Sequence, residues 1–292
     1  MIKKIQDLIK KKSVAGVLFA APALLIIGII MIFPIGYLFF LSFHKWVGHP
    51  VWNGVSNYVS IFNDGNFLKS LFNTFFYTAV NLTLGFALSF IFALMMNQAK
   101  RGIKFFRAII FSPVVMPTVV VGSIWMWLLN SSFGVVNFLL KRVGLITSNI
   151  GWLGSSWMAR LSISAVNVWL GTGLTAVILL AGLQGIPKTL YEAAKVDGAN
   201  AFQQFVHVTI PQMRGIIIIA LILKTIGSFK TFGQIYVMTF GGPTYSTSSL
   251  VFYLYREAFS FFNFGRAATM SVVLFLMVIV LSVVQLRFRK KD

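Results

Sequence analysis

Residues 15–43 read AGVLFAAPALLIIGIIMIFPIGYLFFLSF, with no charged side chain anywhere in the run. At about 1.5 Å per residue, a helix of roughly 20 such residues crosses the ~30 Å hydrocarbon layer of a bilayer. A secretory leader opens in a similar way, with lysines before an apolar stretch, but its apolar core is only about 7–15 residues long. This run continues past Pro34 to Phe43, so it reads as a retained helix, with Pro22 and Pro34 kinking it or marking its ends.

Runs of the same character recur at 71–97, 106–129, 161–184, 215–238 and 265–286, separated by polar and Gly/Pro-containing stretches. Composition agrees: 58% of the 292 residues are hydrophobic and 11% are charged, where a soluble domain carries about a quarter charged residues. Mean hydropathy is +0.84. The predicted fold class is all-α, a polytopic membrane protein with about six transmembrane helices. The chain has no cysteine, which excludes disulfides and thiolate metal sites. His44, His49 and His207 fall in different loops, so no metal site is expected.

A net charge of +19 could serve nucleic acid, but the basic residues sort by side of the membrane. With the N-terminus in the cytoplasm, Lys3, Lys4, Lys10, Lys11, Lys12, Lys100, Arg101, Lys104, Arg107, Lys188, Lys195, Arg214, Arg287, Arg289, Lys290 and Lys291 all lie inside. Seven others fall in outer loops, and Lys224 and Lys230 fall within the fifth run. This is the positive-inside bias, with both termini cytoplasmic. No nucleic-acid partner is expected. Residues 1–14 read as a cytoplasmic segment and 15–292 as a single transmembrane domain. The outer loops 44–70 and 130–160 carry Trp46, Trp52, Trp152 and Trp157, which suit interfacial anchoring or substrate contact.

The inner loop 185–214 is different. From Gly185 to Gly215 it reads GIPKTLYEAAKVDGANAFQQFVHVTIPQMRG. Pro187 suits a first helical turn, and Leu190–Val196 contains two alanines. Asp197-Gly198 breaks that helix, since glycine takes a left-handed conformation readily. Ala199–Val208 then forms a second amphipathic segment with Phe202, Phe205 and Val206 at helical spacing, and Pro211 ends it. Two of the six acidic residues, Glu192 and Asp197, lie in this hairpin. A partly apolar helical hairpin on the cytosolic face is a docking surface.

Glu192-Ala193-Ala194, Asp197-Gly198-Ala199, Phe205 and Ile210-Pro211 resemble the EAA loop of the permeases of binding-protein-dependent ABC importers. The resemblance extends along the chain. Ala21-Pro22-Ala23-Leu24, Pro34 and Leu41-Ser42-Phe43 are similar to the first helix of the sugar-type branch, which includes the larger maltose permease and the glycerol-3-phosphate and multiple-sugar permeases. Asn57-Tyr58, Asn73-Thr74, Thr239-Phe240-Gly241-Gly242-Pro243, Thr247, Tyr255 and Ala258-Phe259 fit the same branch. The chain departs from it at Gly233, where an acidic residue is common, and at Arg266, where an aromatic one is.

The resemblance implies a type I ABC importer permease fold and a set of partners. These are a second homologous permease in a heterodimer, two ATPase subunits, an extracytoplasmic solute-binding protein, membrane lipid and a saccharide cargo. No Gly-Lys dipeptide occurs, so the chain has no phosphate-binding loop of its own. It is expected to be no enzyme and to bind no cofactor, with ATP and Mg used by the partner ATPase. Glu192, Ala193, Ala194, Asp197, Gly198, Ala199, Phe205 and Pro211 are the expected ATPase-coupling residues.

For the cargo path the candidates are Lys224, Lys230, Asn81, Asn167, Trp169 and Arg266. Lys224 falls well inside an apolar run, where an ionisable group is a functional candidate. None of Asp7, Asp64, Glu192, Asp197, Glu257 and Asp292 falls in a span to pair with it. The three cations suggest a cargo with negative character, such as a uronic-acid oligosaccharide or a sugar phosphate. The plainer alternative is a neutral or snorkelling Lys224, with a neutral sugar as cargo. The rival classes fit less well. Proton-coupled carriers place Asp, Glu or His within their spans, and a membrane-embedded enzyme needs clustered His or carboxylates.

Overall fold

The computed structural model describes residues 12–98 and 101–288. Lys3, Lys4, Asp7, Lys10, Lys11, Lys100, Arg289, Lys290, Lys291 and Asp292 lie outside them, as does most of the predicted 1–14 segment.

In chain order the elements are α1 (Lys12–Ile27), α2 (Phe33–Ser42), β1 (His44–Trp46), β2 (Pro50–Trp52), α3 (Ser56–Phe62), α4 (Gly65–Val80), α5 (Phe86–Met96), α6 (Ile103–Phe111), α7 (Thr118–Leu128), α8 (Val135–Arg142) and α9 (Ser156–Gln184). There follow α10 (Lys188–Val196), α11 (Ala201–Gln204), α12 (Ile210–Phe229), α13 (Gly233–Met238), α14 (Leu250–Phe259) and α15 (Phe264–Arg287). Among the described residues, five helices are long and apolar enough to cross a membrane: Phe19–Ser42, Gly65–Met96, Ser156–Gln184, Ala201–Met238 and Phe264–Arg287. A bent pair of helices brings the number to six if it is counted as one span.

The apolar run 106–129, counted as one of about six spans, is therefore not a single straight helix. Ile103–Val115 and Thr118–Leu128 meet at 102°. Pro117 is the cause. It carries no N–H and forces the preceding residue out of the helical region, and Met116 sits at φ −84 and ψ 134.

Other prolines are absorbed rather than terminating. The first apolar run stays helical through Pro22 and Pro34, with a π turn at Gly28–Ile32 just ahead of Pro34. Pro211 behaves likewise, and the expectation that it ends a helix is wrong. A π turn at Phe205–Thr209 joins α11 to α12, so the helix that begins at Ala201 runs into the fifth span. In both places the wider turn loosens the hydrogen-bond ladder where proline would otherwise clash with the carbonyl four residues earlier. A third π turn, Asn81–Gly85 between α4 and α5, has no proline to explain it.

The chain divides into two compact units. The smaller comprises residues up to Ile61 together with Glu257–Val272. Its β1–β2 hairpin is antiparallel with Lys45 opposite Val51. The Asn57 amide donates to the carbonyls of Ser42 (3.0 Å) and His44 (2.9 Å), closing the turn out of α2.

The larger unit comprises Phe62–Arg256 and the residues from Val273 onward. Its long helix α9 organises two apolar clusters. Ile163 and Val166 pack with Tyr77, Val121, Ile235 and Phe252. Ala176, Leu179, Leu180 and Leu183 pack with Phe90, Met96 and Met213. Between these two stretches of α9 lie Asn167, Gly171 and Thr175, and they face a cavity.

Candidate functional site

The hairpin between α9 and α12 is the first candidate. α10 ends in a complete Schellman arrangement: the Ala199 amide donates to the Ala194 carbonyl (2.9 Å) and the Gly198 amide to that of Lys195 (3.1 Å). Gly198 is left-handed, with φ +78, and an added Cβ there would meet nothing within 4 Å. Glycine is therefore needed for its backbone conformation, not for space. The next helix starts at once, with the Asn200 side chain accepting from the Gln203 amide (2.9 Å) and the Gln203 side chain returning to the Asn200 amide (2.8 Å). Two helix ends are satisfied within six residues, which makes the corner rigid.

Side chains of the hairpin divide into those that anchor it and those that face out. Phe205 packs inward, its ring edge-on to Phe90 at 5.7 Å. The hydroxyls of Tyr191 and Thr209 lie 2.9 Å apart. Glu192, Ala193, Asp197, Gly198 and Pro211 are exposed, while Ala194 and Ala199 are half-buried. Two apolar residues of the hairpin that were not among the expected coupling residues project outward, Val196 at 89% exposure and Phe202 at 74%.

The second candidate is the cavity beside α9, about 490 Å³ in volume, within the range of small-molecule sites. It gathers Asn81, Asn167, Lys224 and Lys230 of the six cargo-path candidates. Lys224 is buried, 7% exposed, and its Nζ reaches the Gly171 carbonyl at 3.5 Å. Gly85 makes the room for it: a Cβ there would stand 3.0 Å from Lys224 Cε and 3.2 Å from Asn81 Oδ1. The unprompted π turn at Asn81–Gly85 is thus the local distortion that brings Asn81 and Gly85 to the lysine head. Among the described residues, no carboxylate lines the cavity.

The remaining two candidates fall elsewhere. Trp169 lines a different and almost wholly apolar cavity of about 660 Å³ and stacks edge-on with Trp125 at 5.7 Å. Arg266 belongs to the smaller unit, where it pairs with Glu257 (3.4 Å) and donates to the Ser60 hydroxyl (2.8 Å). It is not among the residues lining either cavity.

Sequence reasoning missed Met116, Thr118, Gly233 and Gln234 at the cavity wall. They come from two helix breaks that face each other, at Met116–Pro117 and at Thr231–Phe232. Gly233 sits so close to Thr118 that a Cβ there would be 2.5 Å from the Thr118 hydroxyl. The closely spaced Pro113 and Pro117 were the available signal for the first break.

The family described as "Binding-protein-dependent transport system inner membrane component" matches residues 85–291. The trehalose/maltose transport system permease of Thermococcus litoralis is 33% identical, covering 96% of each chain. The lactose transport system permease of Rhizobium radiobacter is 37% identical over 94% of this chain and 93% of its own. The sulfoquinovosyl glycerol transport system permease of Agrobacterium fabrum is 33% identical over 95% and 91%. Among solved structures, a chain of a bacterial ABC transporter that imports the acidic polysaccharide alginate superposes with a TM-score of 0.85 at 23% identity, covering 99% of this chain and 100% of that one.

Proposed function

Since this chain belongs to the family of inner membrane components of binding-protein-dependent transport systems, we propose that it is the permease subunit of an ATP-driven carbohydrate importer. The observation that carries this reading is similarity along almost the whole chain, at 33–37% identity, to permeases named for trehalose/maltose, lactose and sulfoquinovosyl glycerol transport. A cavity among the spans, with a mostly apolar wall that also carries amide, hydroxyl and lysine side chains, suits a sugar with its apolar faces and hydroxyl groups.

The chain works with a second permease, two ATPase subunits that use ATP and Mg, and an extracytoplasmic binding protein that delivers the saccharide. Both termini and the hairpin face the cytoplasm. The hairpin docks on the ATPase through Glu192, the outward apolar side chains and the rigid Asp197-Gly198 corner. Because α11 continues without interruption into α12, displacement of the docked hairpin moves the fifth span, which carries Lys224. ATP-driven closure of the ATPase pair then exposes the cavity to alternate sides of the membrane. Lys224 and Lys230 on the cavity wall favour a saccharide with negative charge.

The test is to co-express the chain with its companion permease, ATPase and binding protein and reconstitute them in proteoliposomes. ATP-dependent accumulation of a saccharide is expected. Accumulation driven by a proton gradient in the absence of ATPase would reject the reading.

A further inference from the structure

The second cavity, beside α5, α6 and α9, differs in chemistry from the first. Leu84, Leu88, Phe92, Ile109, Leu161 and Val168 are among the apolar side chains that wall it. Its two hydroxyls are spent: Ser164 donates to the Arg160 carbonyl (2.8 Å) and Thr172 to that of Val168, one turn back along α9. Such a wall suits hydrocarbon and has little to offer a sugar. α6 approaches both of its neighbours closely. Phe106 lies edge-on to Phe92 of α5 at 6.2 Å, and a Cβ at Gly173 of α9 would collide with the Ile110 carbonyl. Yet Leu84, Leu88, Ile109 and Trp169 are exposed, so the slot between the three helices opens at the surface of the spans, where lipid is the solvent.

The charges next to this slot are all of one sign. Between Asp64 and Glu192 the chain has no Asp or Glu, so α4 through α9 carry only cations. At the start of α6, Arg101 and Lys104 are exposed. Arg107 donates to the Met96 carbonyl (2.7 Å) and ties α6 to the end of α5. From Ala108 to Leu140 no charged residue follows. The cations therefore stop where the apolar lining begins: Ile109 stands about 7.5 Å of helix rise beyond Lys104.

A phospholipid has the same layout, a negative phosphate above hydrocarbon chains. We propose that the slot holds one acyl chain of an anionic phospholipid from the surrounding bilayer, with its phosphate bound by Arg101 and Lys104. Basic clusters at span ends attract anionic headgroups even without a slot; here the adjoining apolar space fixes the lipid in one place. The cations decide for a lipid over an apolar protein helix, which carries no phosphate. This lipid is not a cargo, and its site goes beyond the importer reading. Pro113 lines both cavities, so the bound chain braces the segment between α6 and the bend at Pro117.

The experiment uses the complete transporter in phosphatidylcholine nanodiscs that contain a trace of a photoactivatable lipid. The probes are phosphatidylglycerol and phosphatidylcholine, each with a diazirine midway along one acyl chain, and labelled residues are located by mass spectrometry. Phosphatidylglycerol is expected to label residues 84–92 and 161–172 about fivefold more than phosphatidylcholine, the preference that one surface cation supplies. Arg101→Gln combined with Lys104→Gln should bring the two probes level. Ala165 and Ala87 line the slot. Ala165→Phe fills it and should remove labelling there by both probes with the charges in place; Ala87→Leu replaces this variant should it not assemble. Co-purification with the ATPase verifies the folding of each variant. The inference is overturned if both lipids label the wild-type slot equally, if neither labels it, or if the preference survives the double exchange. It is overturned too if a benzoylphenylalanine in place of Leu88 captures the companion permease, which would make the slot a subunit interface. All of these outcomes leave the importer reading intact.

Discussion

The hydroxyl of Tyr191, in the short helix α10, lies 2.9 Å from that of Thr209, in the π turn that leads into the fifth span. This bond ties the two arms of the hairpin together close to where one of them becomes a membrane helix. Under the proposed coupling role, a push on α10 would reach α12 through a hydrogen bond as well as through the chain. Tyr191→Phe removes the bond and little else, at about 0.5–1.5 kcal/mol. Uptake per ATP hydrolysed should fall roughly 2- to 10-fold, with the ATPase still bound. Unchanged stoichiometry in proteoliposomes would show that the backbone alone carries the motion.

The corner at Gly198 makes a prediction with a graded outcome. Its φ of +78 is expensive for residues with a Cβ, by about 1–2 kcal/mol, and cheaper for asparagine. Because the space around it is open, side-chain size matters only through backbone preference. Gly198→Val should impair uptake most, Gly198→Ala less and Gly198→Asn least, with membrane insertion preserved throughout. An order set by side-chain volume instead would point to a crowded partner surface pressed against the corner.

Val196 and Phe202 separate docking from stability. Both stand almost free of the rest of the chain, at 89% and 74% exposure, so truncating them removes little internal packing. Phe202→Ala and Val196→Ala should leave the thermal unfolding of the isolated chain unchanged. Retention of the ATPase subunits should weaken about tenfold for a buried apolar anchor. Equal retention by both variants would move the docking surface to the polar side chains of the hairpin.

The five spans and the bent pair were legible as apolar runs because length and hydropathy are additive along a chain. Breaks within them were not, because averaging over a window erases a single residue's backbone. Met116 looks like any apolar residue until Pro117 fixes its ψ. The same averaging concealed the π turn at Asn81–Gly85, which no proline announces. Pro211 misled in the opposite direction: a proline near a helix start is compatible with helix, and only the three-dimensional ladder shows how the chain accommodates it. Lys224 was legible as an anomaly, a cation in an apolar run. The residues that share its cavity, from α7 and α9, depend on packing between distant segments. Arg266, a candidate read near the outer edge of the last span, meets Glu257 and Ser60 instead, a pairing that no spacing rule could foresee.

Gly233 is the most sensitive position at the meeting of the two broken spans. A Cβ there would fall 2.5 Å from the Thr118 hydroxyl and 3.1 Å from its Cβ, and Thr118 opens α7 beside the cavity. Gly233→Ala should therefore destabilise the protein by about 1–3 kcal/mol, the usual cost of overpacking. Thr118→Ala removes the nearer atom and leaves the 3.1 Å contact, which a shift of a few tenths of an ångström relieves. The double variant should recover most of the loss. Thermal unfolding of the wild type, both single variants and the double variant in detergent supplies the cycle, and an interaction energy above about 0.5 kcal/mol is expected for residues in contact. Simple additivity would mean that the two breaks are not packed against each other in the membrane-extracted protein. The space between them would then be too loose to discriminate among cargoes.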